Sequence, residues 1–153
     1  SPGTYSPEDG HPMITTPPYG VGLYRYVYNG FFWDDVNWFD SHTPTSSGPD
    51  SSFTIPSGND KSVQWLGYFQ APDTGTYTFT LRSDDAAYVW IGNAATEGYT
   101  VGNAFIADGG LHGDATPFSN SINMTANHYY PMRIQWGNHQ GGAGITFTYT
   151  YTP

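Results

Sequence analysis

Cysteine is absent from this chain, and Lys and Arg together number only four in 153 residues. The first absence removes thiol nucleophiles, thiolate metal sites and any disulfide framework, so the fold must stand on its own core. A single domain of this length buries roughly two-thirds of its unfolded surface, which suffices. The second absence, set against 13 Asp and Glu and a formal net charge of −9, disfavours nucleic acid and anionic membrane surfaces as partners. No run approaches the ~20 apolar residues that span a bilayer, so membrane insertion is not expected, and nothing at the N-terminus has the pattern of a signal peptide. The start at Ser1 fits a processed mature protein or an excised domain. Sustained helical periodicity is also missing.

What remains is rich in Gly, Thr, Ser, Asn, Tyr and Trp, while charged residues make up only 11% of the chain. Hydroxyls, amides and aromatic faces suit uncharged polyols such as sugars, which offer hydroxyls to hydrogen-bond and an apolar ring face to cover. The same composition also arises in any protein built mainly of β-strands.

Residues 1–20 carry five prolines and read as an extended lead-in to a single domain over 21–153. The run Thr76-Tyr77-Thr78-Phe79-Thr80-Leu81 alternates apolar and polar side chains, which predicts a half-buried strand. Ile145 to Tyr151 repeats the pattern, and Val63 to Phe69 and Met132 to Trp136 are further strands. Pro72-Asp73-Thr74-Gly75 supplies turn chemistry, so the strands ending near Phe69 and starting near Thr76 are expected to form an antiparallel hairpin. Short strands punctuated by Gly and Pro predict an all-β, antiparallel β-sandwich. The polar segments 40–60 and 93–120 read as long surface loops that carry recognition.

Asp84 and Asp85 stand between the strand ending at Arg82 and the apolar run Ala86-Ala87-Tyr88-Val89-Trp90-Ile91. Two adjacent carboxylates at a buried strand end repel each other and lose hydration, so a positive group must offset them or one must stay protonated. With so few basic residues available, a hard cation, Ca²⁺ above all, is the better candidate. A second loop, Gly137-Asn138-His139-Gln140-Gly141-Gly142-Ala143-Gly144, has four glycines that let backbone carbonyls turn inward, and Asn138 adds an amide oxygen. Ca²⁺ takes about 6–8 oxygen ligands at ~2.3–2.6 Å. If the two loops meet, positions stay open for sugar hydroxyls. His139, between Asn138 and Gln140, is placed to touch whatever binds. Asp34-Asp35, set among aromatics with no companion glycine-rich loop, reads instead as a solvated turn. His11, His42, His112, His128 and His139 share no metal-type spacing, which argues against zinc. Asn123-Met124-Thr125 is a sequon, as in a secreted eukaryotic protein.

Several of these segments together resemble the fungal cell-surface adhesins of the GLEYA and flocculin type. They are Gly67-Tyr68-Phe69, Pro72 with Thr74 to Phe79, Asp84 to Gly92, and Tyr130-Pro131-Met132-Arg133-Ile134 ahead of Asn138. Gly22-Leu23-Tyr24-Arg25-Tyr26 is similar, with substitutions, to the motif behind the GLEYA name. The resemblance spans about residues 20 to 151 and implies a sandwich of the anthrax protective-antigen type, serving as the lectin part of wall-anchored adhesins. It implies that Asp84 and Asp85, joined by a cis peptide, hold Ca²⁺ with Asn138 and the carbonyls of Gln140 and Gly142, and that the ion coordinates sugar hydroxyls. The loop from His139 to Gly144 lacks the aromatic of some flocculins, so their specificity does not carry over.

The expected function is thus a Ca²⁺-dependent lectin domain, monomeric and extracellular at a cell surface or wall. Its sugar contacts would be Asp84, Asp85, Asn138, His139, Gln140 and Gly141. Its targets would be terminal glycan sugars, with a lean to N-acetylglucosamine or chitin ends over mannose or galactose, because a glycine-rich loop leaves room for an acetamido group. Two other classes compete. Asp84 with Asp114 or Asp108 would give a hydrolytic pair if ~5–9.5 Å apart, although the expectation is no enzyme. Exposed aromatics would alternatively serve a protein-binding adhesion module.

Overall fold

The computed structural model describes residues 22–153, so the expected lead-in over 1–20, with His11 and Val21, lies outside the described residues. Strand β1 covers Leu23–Asn29, β2 Ser46–Asp50, β3 Lys61–Gln70, β4 Gly75–Asp84, β5 Ala86–Ile91, β6 Ile106–Asp108, β7 Phe118–Met124, β8 Tyr129–Asn138 and β9 Gly144–Thr152. A 3₁₀ turn at Trp38–Ser41 and one helical turn, α1, at Asn93–Thr96 complete the elements. The strands form a six-stranded sheet in the order β2-β1-β3-β8-β5-β6 and a three-stranded sheet in the order β7-β4-β9. The expected all-β sandwich is what the chain builds, and every pairing is antiparallel. No helix among the described residues is long and apolar enough to cross a membrane.

The alternation read in Thr76 to Leu81 does what the period demands. Tyr77, Phe79 and Leu81 are buried in the core, while Thr76, Thr78 and Thr80 form a hydroxyl ladder on the outer face with Asn123, Ser121 and Ser119 of β7. The expected β3–β4 hairpin does not form. β3 pairs with β1 and β8, and β4 pairs with β7 and β9 in the other sheet. The reason is in the apolar faces: Phe69 packs edge-on against Tyr77 and Phe79 at 5.7 and 5.5 Å, so the turn carries the chain across the core rather than back along its own edge.

The larger sheet is covered on both faces. Val63, Trp65, Phe69, Ile134 and Trp136 face the inter-sheet core. On the reverse, Tyr26, Tyr28, Leu66, Tyr88 and Trp90 meet Phe31, Phe32, Val36, Phe39, Ala95 and Tyr99. The segments 40–60 and 93–120 are therefore more than surface loops: they contain β2, α1, β6 and the start of β7, and Ala95 and Tyr99 pack on the sheet. Buried polar groups tie that layer down. Arg133, 1% exposed, donates to Gln64 Oε1 at 2.7 Å and to the Ala95 carbonyl at 2.9 Å, with its guanidinium 4.0 Å from the Tyr99 ring centre. Gln135 donates to Gln64 Oε1 and to the Val36 carbonyl, and Tyr99 donates to the Asp40 carboxylate.

Candidate functional site

Sheet topology brings the two motif loops together. β4 ends at Asp84, paired with Gly144, and β5 starts at Ala86, paired with Gly137. The acidic pair is thus the crossover from the smaller sheet to the larger, and Asn138 to Gly144 is the return crossover at the same end. The Trp136 indole, buried under both, donates to the Asp84 carbonyl at 3.0 Å and the Gly144 carbonyl at 3.1 Å. The Asp84–Asp85 peptide is cis, as the resemblance implied. Ser83 Oγ donates to the Asp85 carbonyl at 2.8 Å, so the backbone on both sides of the pair is fixed.

The carboxylates are aimed as well as placed. Asp85, 6% exposed, accepts the His139 amide on Oδ2 at 2.9 Å and the His112 amide on Oδ1 at 3.1 Å. Asp84 is half-buried beside it. Burial raises the Asp84 pKa above its ordinary 3.8, the charge of Asp85, a hydrogen bond with it and the charge of Asp114 raise it further, and His112 opposes the rise. A Cβ on Gly142 would sit 3.4 Å from Asp84 Oδ2, so glycine there lets the loop backbone close onto the carboxylate.

Asn138, 1% exposed, fits in two senses. In one, Nδ2 donates to the Gly58 carbonyl at 3.3 Å and Oδ1 lies among acceptors, 3.2 Å from Asp85 Oδ2 and 3.0 Å from the Gly142 carbonyl. In the other, the amide NH₂ donates to those two oxygens. Without a cation the second sense satisfies the corner. The first presents an amide oxygen, a carboxylate and a carbonyl spaced as neighbouring ligands on a hard cation are, about 3 Å apart at metal–oxygen distances of ~2.3–2.6 Å. The donor set therefore fits such an ion. Among the described residues no three His, Cys, Asp or Glu side chains are grouped to hold a metal, and here amide and carbonyl oxygens supply the count.

The structure thus brings together Asp84, Asp85, Asn138 and Gly142. Gln140 and Gly141 are exposed in the bend between them, with open space at the Gly141 Cβ position. The His139 ring is engaged elsewhere, with Nδ1 2.6 Å from Asp60 Oδ1 and the imidazole against Phe31 and Trp33. Of the second acidic pair, expected as a solvated turn, Asp35 Oδ1 accepts the Asn37 amide of its own turn, whereas Asp34 Oδ1 ties the turn to distant elements, accepting from Tyr88 Oη at 2.9 Å and from the Gly110 amide at 3.1 Å.

Three neighbours take parts at the corner that the sequence did not assign to them. Asp108 accepts from Ser83 Oγ at 3.0 Å and meets His112 Nε2 at 2.9 Å, and burial raises its pKa while Ser83 and His112 moderate the rise. Burial works against a charge on His112, yet the Gly113 and Asp108 carbonyls and the Asp108 and Asp85 carboxylates outweigh it and raise its pKa. Asp60 caps His139. The sequence signal for two of them is the i, i+4 spacing of Asp108 and His112, and Asp60 carries none.

The GLEYA domain family matches residues 61–151. No curated protein matches the chain. Among solved structures it is similar to the Epithelial Adhesin 6 A domain from Candida glabrata in complex with Galβ1-3GlcNAc, with 20% identity over 98% of this chain and 85% of that one and a TM-score of 0.69. The Epithelial Adhesin 9 A domain from the same organism, also in complex with Galβ1-3GlcNAc, matches at 16% identity over 88% and 85% with a TM-score of 0.63. A β-glucosidase from Kluyveromyces marxianus in complex with glucose matches at 12% identity and a TM-score of 0.63, over 86% of this chain but only 16% of that enzyme. At these identities the likeness is one of fold, whereas the family match covers β3 to β9 with both motif loops, more than half of the sequence. The chain belongs to the GLEYA domain family.

Proposed function

We propose that this chain is a calcium-dependent carbohydrate-binding domain of a cell-surface adhesin, acting outside the cell on terminal sugars of glycans. The observation that carries this reading is the oxygen corner, in which Asp84, Asp85, the Asn138 amide and the Gly142 carbonyl converge with no Lys or Arg of the described residues paired to the two carboxylates, while the nearby His112 ring is engaged by Asp108. Asp84, Asp85 and Asn138 hold the ion, and the Gly142 and Gln140 carbonyls complete the protein's share. Bound there, calcium supplies vacant coordination positions that adjacent sugar hydroxyls fill. The His112 and His139 amides fix the Asp85 carboxylate so that its oxygens are already oriented. The open bend at Gln140 and Gly141 faces the arriving sugar. Its lack of bulk favours an acetamido group and so N-acetylglucosamine, while the galactoside complexes of the two adhesin domains of like fold favour galactose as the second reading.

The domain is not an enzyme on this account. Asp108 is held by Ser83 and His112, and Asp84 serves the ion, so neither of the two hydrolytic pairs, Asp84 with Asp108 or with Asp114, is free. A glycan array probed with and without EDTA tests the proposal. Retention of terminal galactose, mannose or N-acetylglucosamine glycans in calcium and its loss in EDTA is the expected result. Binding that ignores EDTA sinks the metal assignment, an array with no bound sugar favours a protein-binding adhesion module, and release of reducing ends from oligosaccharides favours catalysis.

A further inference from the structure

Trp33 is 59% exposed, the most exposed of the large hydrophobic residues described, although its chain has every means of burying aromatics. Trp65, Trp90 and Trp136 are buried with their indole N–H groups donating to protein oxygens. The Trp33 N–H has no hydrogen-bond acceptor among the described residues. Trp33 and Asp34 also adopt left-handed backbone, with φ of 49° and 59°, a conformation that bulky residues seldom take.

The loop that holds it is fixed on all sides. The Gly30 amide donates to the Asp60 carbonyl at 2.7 Å, the Phe32 amide to Ser62 Oγ at 3.1 Å, and Asp34 is gripped by Tyr88 and Gly110. The indole itself packs edge-on against Phe31, ring centres 4.8 Å apart, and lies 4.7 Å from the His139 ring. It is an exposed side chain that is already ordered.

Two independent paths connect it to the acidic corner. His139, which touches the indole, donates its amide to Asp85 Oδ2 at 2.9 Å. Asp34, the next residue, binds the Gly110 amide, and two residues further the His112 amide binds Asp85 Oδ1. His139 thus meets Asp85 through its backbone amide and the indole through its ring, which puts the indole one residue's width from the corner.

We propose that Trp33 is the platform of a second sugar subsite, stacking on the apolar face of the pyranose joined to the one held at the Asp84–Asp85 corner. This rests on the carbohydrate-binding function proposed above. A pyranose has one face of C–H groups, an indole covers such a face at little conformational cost because it has two side-chain torsions, and its free N–H meets a ring hydroxyl. The substrate class is therefore a glycan of at least two sugars, with the monosaccharide bound at the corner alone.

Calorimetric titration of the full chain in calcium, with galactose against lactose and N-acetylglucosamine against N,N′-diacetylchitobiose, tests it. For whichever monosaccharide binds, its disaccharide is expected to bind about 5–10-fold tighter, as one aromatic contact gives. Trp33→Ala should bring that ratio to about one, leave the monosaccharide affinity within about twofold, and remove the protection that the disaccharide gives against acrylamide quenching of tryptophan fluorescence. Trp33→Tyr, which keeps the aromatic packing, should retain most of the ratio and guards against a folding defect in the alanine variant. A ratio near one in the native chain, a ratio untouched by Trp33→Ala, or an equal loss for both sugars overturns the platform. Equal loss would mean that Trp33 only positions His139. If the native chain binds neither monosaccharide nor disaccharide, the lectin function itself falls, and the subsite with it.

Discussion

At the residue scale the corner disfavours one of its own charges, the Asp84 anion. Asp84 holds its proton more tightly in the folded chain than in the unfolded one, because burial and the Asp85 charge disfavour its anion. Its contribution to stability is therefore complete below pH 3.8 and is lost as the pH rises through the raised value. In chelator at neutral pH, Asp84→Asn should thus be at least as stable as the native chain by thermal melting, although it has lost a charged residue. The order should reverse in calcium. An ion present at ~100 times its Kd adds ~2.7 kcal/mol, roughly 5–10 °C in melting temperature for a chain of this size, and Asp84→Asn should show none of it. Gly142→Val separates approach from charge, since any Cβ starts 3.4 Å from Asp84 Oδ2. It should weaken the calcium-induced shift while leaving the melting temperature in chelator within a few degrees.

At the element scale the strands were legible because their side chains obey a period of two or are continuously apolar, as in Thr76 to Leu81 and Ala86 to Ile91. Which strands pair was not legible. Pro72-Asp73-Thr74-Gly75 carries the same turn chemistry whether the chain folds back on its own edge or crosses to the facing sheet, and only the packing of Phe69 on Tyr77 and Phe79 decides. The two-sided burial of β3, β5 and β8 was hidden for a related reason: the residues that cover the reverse face come from loops of polar composition. Asp84, Asp85 and Asn138 could be picked out because adjacent charges and clustered glycines are local signals. The parts played by Asp60, Asp108, His112 and Trp33 could not be read, since each joins the corner through a long-range contact. Two substitutions test the reverse layer. Arg133→Ala takes the donor from the buried Ala95 carbonyl, leaves Gln64 Oε1 with Gln135 as its remaining donor and opens a cavity, which should cost about 3 kcal/mol, read as a fall of roughly 10 °C in melting temperature. A Cβ at Gly137 would meet ring carbons of Phe31 and Phe32 at 2.8 Å, so Gly137→Ala should cost about 1–3 kcal/mol and displace the loop that presents Trp33.

At the scale of the whole molecule, the sandwich is a means of holding two crossovers at one end. The acidic pair takes the chain from the smaller sheet to the larger, the glycine-rich loop takes it back, and the indole of Trp136 joins the two beneath. The formal charge of −9 makes copies of the chain repel one another, and the proposed monomer is expected to run on size-exclusion chromatography as one species near 16.8 kDa, a dimer-sized species counting against it. An open site that grips a few hydroxyls binds weakly, at about µM to mM, so adhesion by this domain would rely on many copies displayed together. The most direct measurement is a calcium titration of the native chain and of Asn138→Ala, followed by calorimetry in the presence and absence of a binding glycan. The account predicts one ion bound per native chain, none by the variant, and glycan heat only in the calcium-loaded native protein. Full glycan binding in chelator, or undiminished calcium binding by Asn138→Ala, would contradict it.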